Sequence, residues 1–205
     1  MPPGTRRCMM WTGTRIEQPD GRKPREAGVS GSRQTAAAPT HSGLCAIAGR
    51  WLRGRGFGVV FRDGFKAVTD TGECPDAIGW RGAVSVLIEC KLSRADFLAD
   101  RCKPFRSDPL AGMGDWRFYL CPPGVITVED LPHGWGLLHA SGKRVSAVHG
   151  LPGNCGWQTD APFAGSKRCE VQMLCSGLRR MVVRGHFDAV YDPIPTGAAE
   201  RATDV

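Results

Sequence analysis

The pattern of apolar and polar positions changes period along the chain, and each change predicts an element. Residues 44–55 carry apolar side chains at helical spacing, with Ser42 placed to cap the helix and Gly54 and Gly56 placed to end it. Residues 57–61 have the composition of a strand, and a more polar stretch follows as a loop. The fold is therefore predicted to begin with a helix and a strand.

Two further strand-like runs, residues 74–80 and 83–91, predict a β-hairpin. They are separated by only an arginine and a glycine, a pair that favours a tight turn. A two-residue loop would place Asp76 opposite Leu87 in the antiparallel pair. The second run is mostly apolar, as expected for a buried strand, yet it ends in charged residues.

The predicted hairpin gathers three charged side chains. Glu89 follows Asp76 by thirteen positions, and Lys91 follows Glu89 by two. Because side chains alternate between the faces of a strand, all three share one face for any even loop length. Two carboxylates can hold a hard divalent cation, and an ammonium can orient a water or stabilise a developing negative charge. The hairpin is therefore a candidate catalytic metal site.

A short helix is predicted directly after the hairpin. Ser93 begins a capping-box-like pattern, which predicts a helix over residues 94–101. The apolar spacing predicts that Ala95, Leu98 and Cys102 point inward. The two aspartates of this helix are then expected to be cap and surface charges.

The second half of the chain continues with strands and a final helix. Strands are predicted over residues 116–121, 134–140 and 144–149, the last two forming a hairpin. Residues 167–184 have helical periodicity, and the face predicted to pack on the sheet carries Val171, Leu174, Leu178 and Met181. The order of elements predicts an α/β fold with a central mixed β-sheet flanked by helices.

The charge balance favours a polyanionic partner. The 205-residue chain has a formal net charge of +7 and a pI of about 9.1, which suits nucleic acid but also serves solubility. Arg101, Lys103 and Arg106 cluster around the end of the predicted helix, and Ser93 lies at its start. These four residues are candidate contacts to nucleic-acid phosphates. The alternative is an ordinary solvated face.

Composition divides the chain into one domain and two tails. Residues 1–42 are rich in glycine, proline and serine, with seven Lys/Arg against three acids, and predict a disordered basic tail. Such a tail is either a basic arm for nucleic acid or simply solvated, and we prefer the second interpretation. Residues 43–192 are long enough for one domain with a sizeable core, and residues 193–205 are expected to be a C-terminal tail.

Cysteine usage and hydropathy bear on the compartment. None of the nine cysteines is spaced as C-x-x-C or as a zinc finger, so we expect reduced thiols and no structural zinc. No apolar run approaches eighteen residues, and the N-terminal residues lack a secretion signal. These features predict no membrane association and a cytoplasmic location.

The motif PD…ECK, which starts at Pro75 and ends at Lys91, resembles that of the PD-(D/E)XK nuclease superfamily. The segments IECKLSRADFLADRCKPFR, GMGDWRFYLCPPGVI and EDLPHGWGLLH extend the resemblance to a bacterial and prophage-encoded branch related to DNA-repair nucleases. The resemblance covers residues 44–148 and, more weakly, residues 169–180. It implies a restriction-endonuclease-like core in a protein of the bacterial host cytoplasm, and a homodimer is compatible with it.

The resemblance also implies roles for the motif residues. Mg²⁺ (or Mn²⁺) would be held by Asp76, Glu89 and the backbone carbonyl of Cys90, while Lys91 would position the attacking water or stabilise the pentavalent phosphorus. The expected activity is metal-dependent hydrolysis of phosphodiester bonds, most simply in DNA. In much of the superfamily the first helix supplies a further acidic ligand, but residues 44–55 contain no acid.

Two other classes of protein stay open on the sequence. One is a nuclease-fold protein that binds nucleic acid without cutting it, which the missing acid of the first helix would explain. The other is a structural or regulatory phage protein that uses the fold as a partner-binding surface. The sequence does not distinguish DNA from RNA, nor single-stranded from double-stranded substrates.

Overall fold

The structure is a computed structural model that describes residues 39–108 and 110–193. The predicted disordered tail therefore lies outside the described residues up to position 38, and the predicted C-terminal tail lies outside them from position 194. Apart from two 3₁₀ turns, Val128–Asp130 and Phe187–Tyr191, the described elements in chain order are α1 (His41–Arg53), β1 (Val59–Arg62), β2 (Ala77–Arg81), β3 (Val84–Cys90), α2 (Arg94–Arg101), α3 (Pro104–Ser107), β4 (Trp116–Cys121), β5 (Gly136–Ser141), β6 (Arg144–His149), α4 (Gly156–Thr159) and α5 (Lys167–Val183).

The six strands form one mixed sheet in the order β1-β2-β3-β4-β5-β6. The first three strands are antiparallel neighbours, β3, β4 and β5 are parallel to one another, and β6 returns antiparallel to β5. Helices flank this sheet, so the predicted α/β class and mixed sheet are confirmed. The carboxyl ends of β3, β4 and β5 lie at one edge of the sheet.

Two apolar layers cover the two faces of the sheet. One layer packs α1 against the sheet, with Leu44, Ala48 and Leu52 meeting Phe118 and its neighbours. The other layer contains residues from α2 and α5 that meet the opposite side chains of the same strands. Strand β4 serves both layers, because alternate residues of a fully buried strand point to opposite faces.

Helix α1 begins earlier than the sequence pattern predicted. Thr40, not Ser42, is the N-cap, and its Oγ1 accepts a hydrogen bond from the amide of Gly43 at 3.1 Å. Because the helix starts at His41, the predicted boundary at residue 43 cuts through its first turn. This extension brings His41 into the fold.

The β2–β3 hairpin differs from the prediction by a shift of the turn. Arg81 pairs with Val84, so the two loop residues are Gly82, with φ of 56°, and Ala83. Leu87 therefore pairs with Ile78, and the predicted pairing of Asp76 with Leu87 is wrong. The shift moves the register by two positions, so it leaves the facing of each side chain unchanged.

Helix α2 has its predicted bounds but buries a different face. Phe97 and Asp100 are its buried residues, whereas Leu98 and Cys102 are exposed. The predicted inward face was wrong because a charged network, described below, holds Asp100 in the interior. Strands β4 and β6 also have their predicted bounds, while β1 begins two residues later and β5 two residues later than predicted.

Helix α5 docks through Cys169, Met173 and a polar network, and of its predicted apolar face Leu174 packs against the core. The Glu170 carboxylate accepts hydrogen bonds from Trp80 Nε1 at 3.1 Å and from Ser85 Oγ at 2.7 Å. Asp115 accepts from the Ser85 amide at 2.9 Å and from Lys167 Nζ at 2.6 Å. This network turns α5 so that much of its apolar face, including Val171, Leu178 and Met181, is exposed. Among the described helices, none combines the length and apolarity needed to cross a membrane.

Candidate metal and nuclease site

The motif residues lie at the edge of the sheet where β3 ends. The Lys91 amide donates to the Leu120 carbonyl at 2.9 Å, which extends the pairing of β3 with β4 by one residue. Glu89 is 2% exposed and Lys91 3% exposed, so both charges are inside the protein. Buried charges are stable only with partners, and each of these has several.

Glu89 is held by two cations from different parts of the chain. Lys91 Nζ lies 3.1 Å from Glu89 Oε2, and Arg106 Nη2 lies 2.8 Å from Glu89 Oε1. Lys91 reaches Glu89 because residues two apart on a strand share a face. Arg106 comes from α3, a short helix that begins with Pro104.

Two further acids complete what we call the buried charge cluster. Asp100 accepts hydrogen bonds from Arg106 Nε and from the Tyr119 hydroxyl, both at 3.0 Å, and it pairs with Lys91 at 3.3 Å. Glu73 is fully buried, pairs with Arg106 and accepts from the Met113 amide. The cluster comprises Glu73, Glu89, Asp100, Lys91 and Arg106, with Lys103 and Tyr119 bound at Asp100.

The cluster shifts the ionisation of its members in opposite directions. Burial raises the pKa of the Glu89 carboxyl to about 7; Arg106 opposes this rise and Asp76 adds to it. Burial works against the charge of Lys91, but Glu89 and Asp100 outweigh it and hold the ammonium pKa above its ordinary value. Lys91 therefore stays protonated at neutral pH and acts as a cation, not as a base.

Asp76 lies just before β2 and faces different partners. Its Oδ2 accepts from the Cys90 amide at 2.8 Å, which fixes the carboxylate against the end of β3. Its Oδ1 lies 3.1 Å from His41 Nε2, and the same nitrogen lies 3.4 Å from Cys45 Sγ. Asp76 thus contacts α1, while Glu89 contacts Lys91 and Arg106. The charge of Asp76 nevertheless adds to the rise in the pKa of both Glu89 and Lys91, so the three charges that the hairpin was predicted to gather lie close together.

The predicted phosphate contacts divide into three cases. Ser93 is the N-cap of α2, and its Oγ accepts from the Asp96 amide at 3.2 Å. Arg101 is exposed, and Lys103 is partly exposed beside Asp100. The interpretation of Arg106 as a surface phosphate contact is wrong, since its side chain is only 4% exposed among three carboxylates. Its position after a predicted helix end gave no indication that α3 would turn it inward.

Several residues of the site were not predicted to belong to it. His41 precedes the predicted helix, and the burial of Asp100 and Tyr119 depends on tertiary packing. Glu73 lies three positions before Asp76, and its burial against Arg106 and the Met113 amide likewise depends on tertiary packing. No spacing rule connects His41 and Cys45 with Asp76, which lies thirty-one positions beyond Cys45.

Comparison with known proteins adds little to this picture. The chain matches no known family profile, and no curated protein matches it. A solved structure, the SPO1766 protein of unknown function from Silicibacter pomeroyi, is 28% identical, with a TM-score of 0.48 over 73% of this chain and 90% of that chain. The chemistry of the site must therefore be argued from its own residues.

Proposed function

We propose that the protein is a metal-dependent nuclease with a restriction-endonuclease-like core that hydrolyses phosphodiester bonds in DNA. The observation that carries the proposal is the meeting of Asp76, Glu89 and Lys91 where β2 begins and β3 ends. Asp76 is bound to the Cys90 amide, and Lys91 contacts Glu89. Two acids and a permanently charged lysine around one strand end are the groups that phosphodiester hydrolysis needs.

The donor set suits a hard divalent cation such as Mg²⁺ or Mn²⁺. Carboxylate oxygens of Asp76 and Glu89 and the carbonyl oxygen of Cys90 are all hard ligands. The Asp76 side chain is 18% exposed and can be reached from solvent. Glu89 would have to exchange Lys91 or Arg106 for the cation. When bound, the cation would supply a water of lowered pKa.

Lys91 is the residue with the clearest chemical role. Its ammonium remains charged and is held in place by Glu89 and Asp100, so it is preorganised before any substrate arrives. A fixed cation stabilises the negative charge that develops on a phosphate in the transition state. Lys91 can also orient the attacking water, since its Nζ lies 3.1 Å from Glu89 Oε2.

A second candidate function is nucleic-acid binding without cleavage. The observation that favours it is the enclosure of Glu89, whose two oxygens each face a cation of the protein. A cluster that stays closed would stabilise the fold and leave no acid for a metal. Exposed basic residues such as Arg101 and Lys103 would then be the functional part of the surface.

Cleavage assays with charge-neutralising variants test the proposal. The parent protein is incubated with plasmid, single-stranded DNA, RNA and branched DNA in Mg²⁺ or Mn²⁺. We expect cleavage of at least one DNA substrate, which Asp76→Asn and Glu89→Gln abolish because each removes a charge that the cation needs. Isothermal titration with Mn²⁺ should show weaker binding in both variants.

Asp96→Asn is the matched control, since Asp96 is an exposed acid on α2 and should leave cleavage and Mn²⁺ binding unchanged. Variants of Asp76 and Glu89 that cut at the parent rate would contradict the nuclease proposal. If the parent cuts no substrate yet binds DNA in EDTA with strong salt dependence, the binding-only function is the correct one.

A further inference from the structure

Helix α1 and Asp76 bring together three different metal-ligand atoms outside the buried charge cluster. His41 Nε2, Cys45 Sγ and a carboxylate oxygen of Asp76 all lie within 4.8 Å of one another. His41 and Cys45 are four positions apart on α1, so they project from the same face of the helix. Asp76 reaches them from the loop before β2.

Two of the three distances between the ligand atoms match the edges of a small tetrahedral site. With metal–nitrogen and metal–oxygen bonds of about 2.0–2.1 Å and a metal–sulfur bond of about 2.3 Å, tetrahedral angles require about 3.5 Å between N and S and about 3.3 Å between N and O. The structure has 3.4 Å between His41 Nε2 and Cys45 Sγ and 3.1 Å between His41 Nε2 and Asp76 Oδ1. The third edge, between Cys45 Sγ and the Asp76 carboxylate, lies within 4.8 Å, so a metal ion would fit once these two side chains move towards each other.

A cysteine-based catalytic triad is a different arrangement of the same residue types, and the geometry excludes it. In a triad the nucleophile and the carboxylate bind opposite nitrogens of the imidazole. Here Cys45 and Asp76 both approach Nε2 of His41. Cys45 is also fully buried, so its sulfur is closed to a substrate. Convergence on one nitrogen is what a shared metal requires.

The ligands are held in place and accessible from one side. Asp76 is anchored by the Cys90 amide through Oδ2, which leaves Oδ1 directed at His41. Cys45 is buried in the apolar layer beneath α1. His41 has 45% of its side chain exposed, so the open side of the site faces solvent. Three protein ligands with an open fourth position are the pattern of a reactive zinc site.

We infer that His41 Nε2, Cys45 Sγ and Asp76 Oδ1 bind one transition-metal ion of the Zn²⁺ type. A thiolate and an imidazole prefer such ions to Mg²⁺, so the site selects a softer cation than the one proposed for Asp76 with Glu89. Binding replaces the thiol proton of Cys45, which is released to solvent. The inference goes beyond the nuclease function and holds whether or not the protein cuts DNA.

Cobalt spectroscopy tests this site directly, because Co²⁺ bound to a thiolate gives an intense ligand-to-metal charge-transfer absorption. Titrating the full-length, reduced protein with Co²⁺ should produce this band, saturating at one equivalent, and Zn²⁺ should displace it. Cys45→Ser should abolish the band. His41→Asn should weaken Zn²⁺ binding by more than the roughly 10- to 100-fold that follows loss of an outer-shell partner.

Cys121→Ser, at a buried cysteine of β4, is the matched control and should keep the parent band. If Cys45→Ser fails to fold, His41→Asn decides, since His41 is largely exposed. Absence of the band in the parent, or its survival in both His41→Asn and Cys45→Ser, overturns the inference. Glu89→Gln separates the two proposals: it should keep the cobalt band even where it abolishes cleavage in Mg²⁺.

Discussion

The two oxygens of Asp76 have different surroundings, and this difference organises the site at the scale of single residues. Oδ2 is occupied by the Cys90 amide, and Oδ1 faces His41. Glu89 lies across the end of β3 among Lys91 and Arg106. A cation at Asp76 therefore meets an imidazole and a thiol before it meets a second carboxylate. The metal that Asp76 would bind therefore depends on whether His41 and Cys45 or Glu89 supply the other ligands.

Asp100 is predicted to be the acid on which the stability of the site depends most. Arg106, Lys103 and Lys91 overcome the effect of burial and hold the pKa of the Asp100 carboxyl well below its ordinary value. Asp100→Asn removes the buried carboxylate that these three cations share, so we expect a loss of about 3–5 kcal/mol in the free energy of unfolding at pH 7. Urea denaturation monitored by tryptophan fluorescence measures it.

The pH dependence of this loss has a defined sign. A depressed carboxyl pKa stabilises the fold above the unfolded-state value of about 3.9 and ceases to do so as the pH falls through the folded value. The difference between parent and Asp100→Asn should therefore shrink below about pH 4. The same difference at pH 3 and pH 7 would show that Asp100 acts through packing alone. Asp96→Asn, at an exposed position of the same helix, should change stability little at either pH.

Lys91 is expected to act on the reaction rather than on metal binding. Lys91→Ala removes a preorganised positive charge, so cleavage should fall by about 100- to 1,000-fold, the usual effect of losing one transition-state donor. Mn²⁺ affinity should stay equal or increase, because a nearby cation has been removed. Isothermal titration beside a cleavage time course measures both quantities. A parallel loss of metal affinity and cleavage would instead make Lys91 a structural partner of Glu89 and Asp100.

At the scale of elements, α2 shows how a sequence motif can have two meanings. Ser93 was a candidate phosphate contact, and in the structure its hydroxyl caps the helix. Ser93→Ala should lower the free energy of unfolding by about 1 kcal/mol, and Ser93→Asp should restore it, because aspartate is also a good N-cap. Thermal denaturation measures both variants. Unchanged stability with weaker DNA binding would return Ser93 to the nucleic-acid surface.

Periodicity predicted the elements that local sequence specifies. Strands β4 and β6 and helix α2 have the bounds that the sequence indicated, because apolar alternation, turn residues and a serine cap mark their ends. The observed β2–β3 turn lies one residue later than predicted. Both Arg81-Gly82 and Gly82-Ala83 can form a two-residue turn, and only the strand pairing in the sheet selects one of them. Each side chain still points to its predicted face of the hairpin, because the register moved by two positions.

Periodicity failed where polar networks decide the packing. The apolar spacing of α5 predicted a face of Val171, Leu174, Leu178 and Met181 that packs on the sheet. Leu174 does so, but the other three are exposed because Glu170 and its hydrogen bonds orient the helix. In α2 the same happens with Asp100, which is buried because Arg106 and Lys91 arrive from other elements. Such partners are distant in sequence, so no local pattern indicates that an acid belongs inside.

The site as a whole was predicted only in its motif residues. The pattern of Asp76, Glu89 and Lys91 indicated a strand end with a metal or a catalytic role, and that role stays a prediction. Neither the binding of Arg106 to Glu89 nor the proximity of His41 to Asp76 could be predicted. Both depend on how α1 and α3 pack against the sheet, which spacing along the chain does not encode.

At the scale of the whole molecule, the net charge of +7 makes the salt dependence of DNA binding the decisive measurement. Arg101 and Lys103 are exposed basic residues at the end of α2, and Lys103 pairs with Asp100 of the buried charge cluster. If each contacts one phosphate, Arg101→Ala and Lys103→Ala should each reduce the slope of log K against log salt by about 0.9 for double-stranded DNA.

Arg168→Ala is the control for this measurement. Arg168 is 79% exposed, and it pairs with Asp70 rather than with a residue of the candidate site. Fluorescence anisotropy in EDTA, over a series of salt concentrations, measures the slopes without cleavage. Equal slopes for parent and all three variants would mean that these residues are only a solvated face, and that DNA, if bound, contacts another surface.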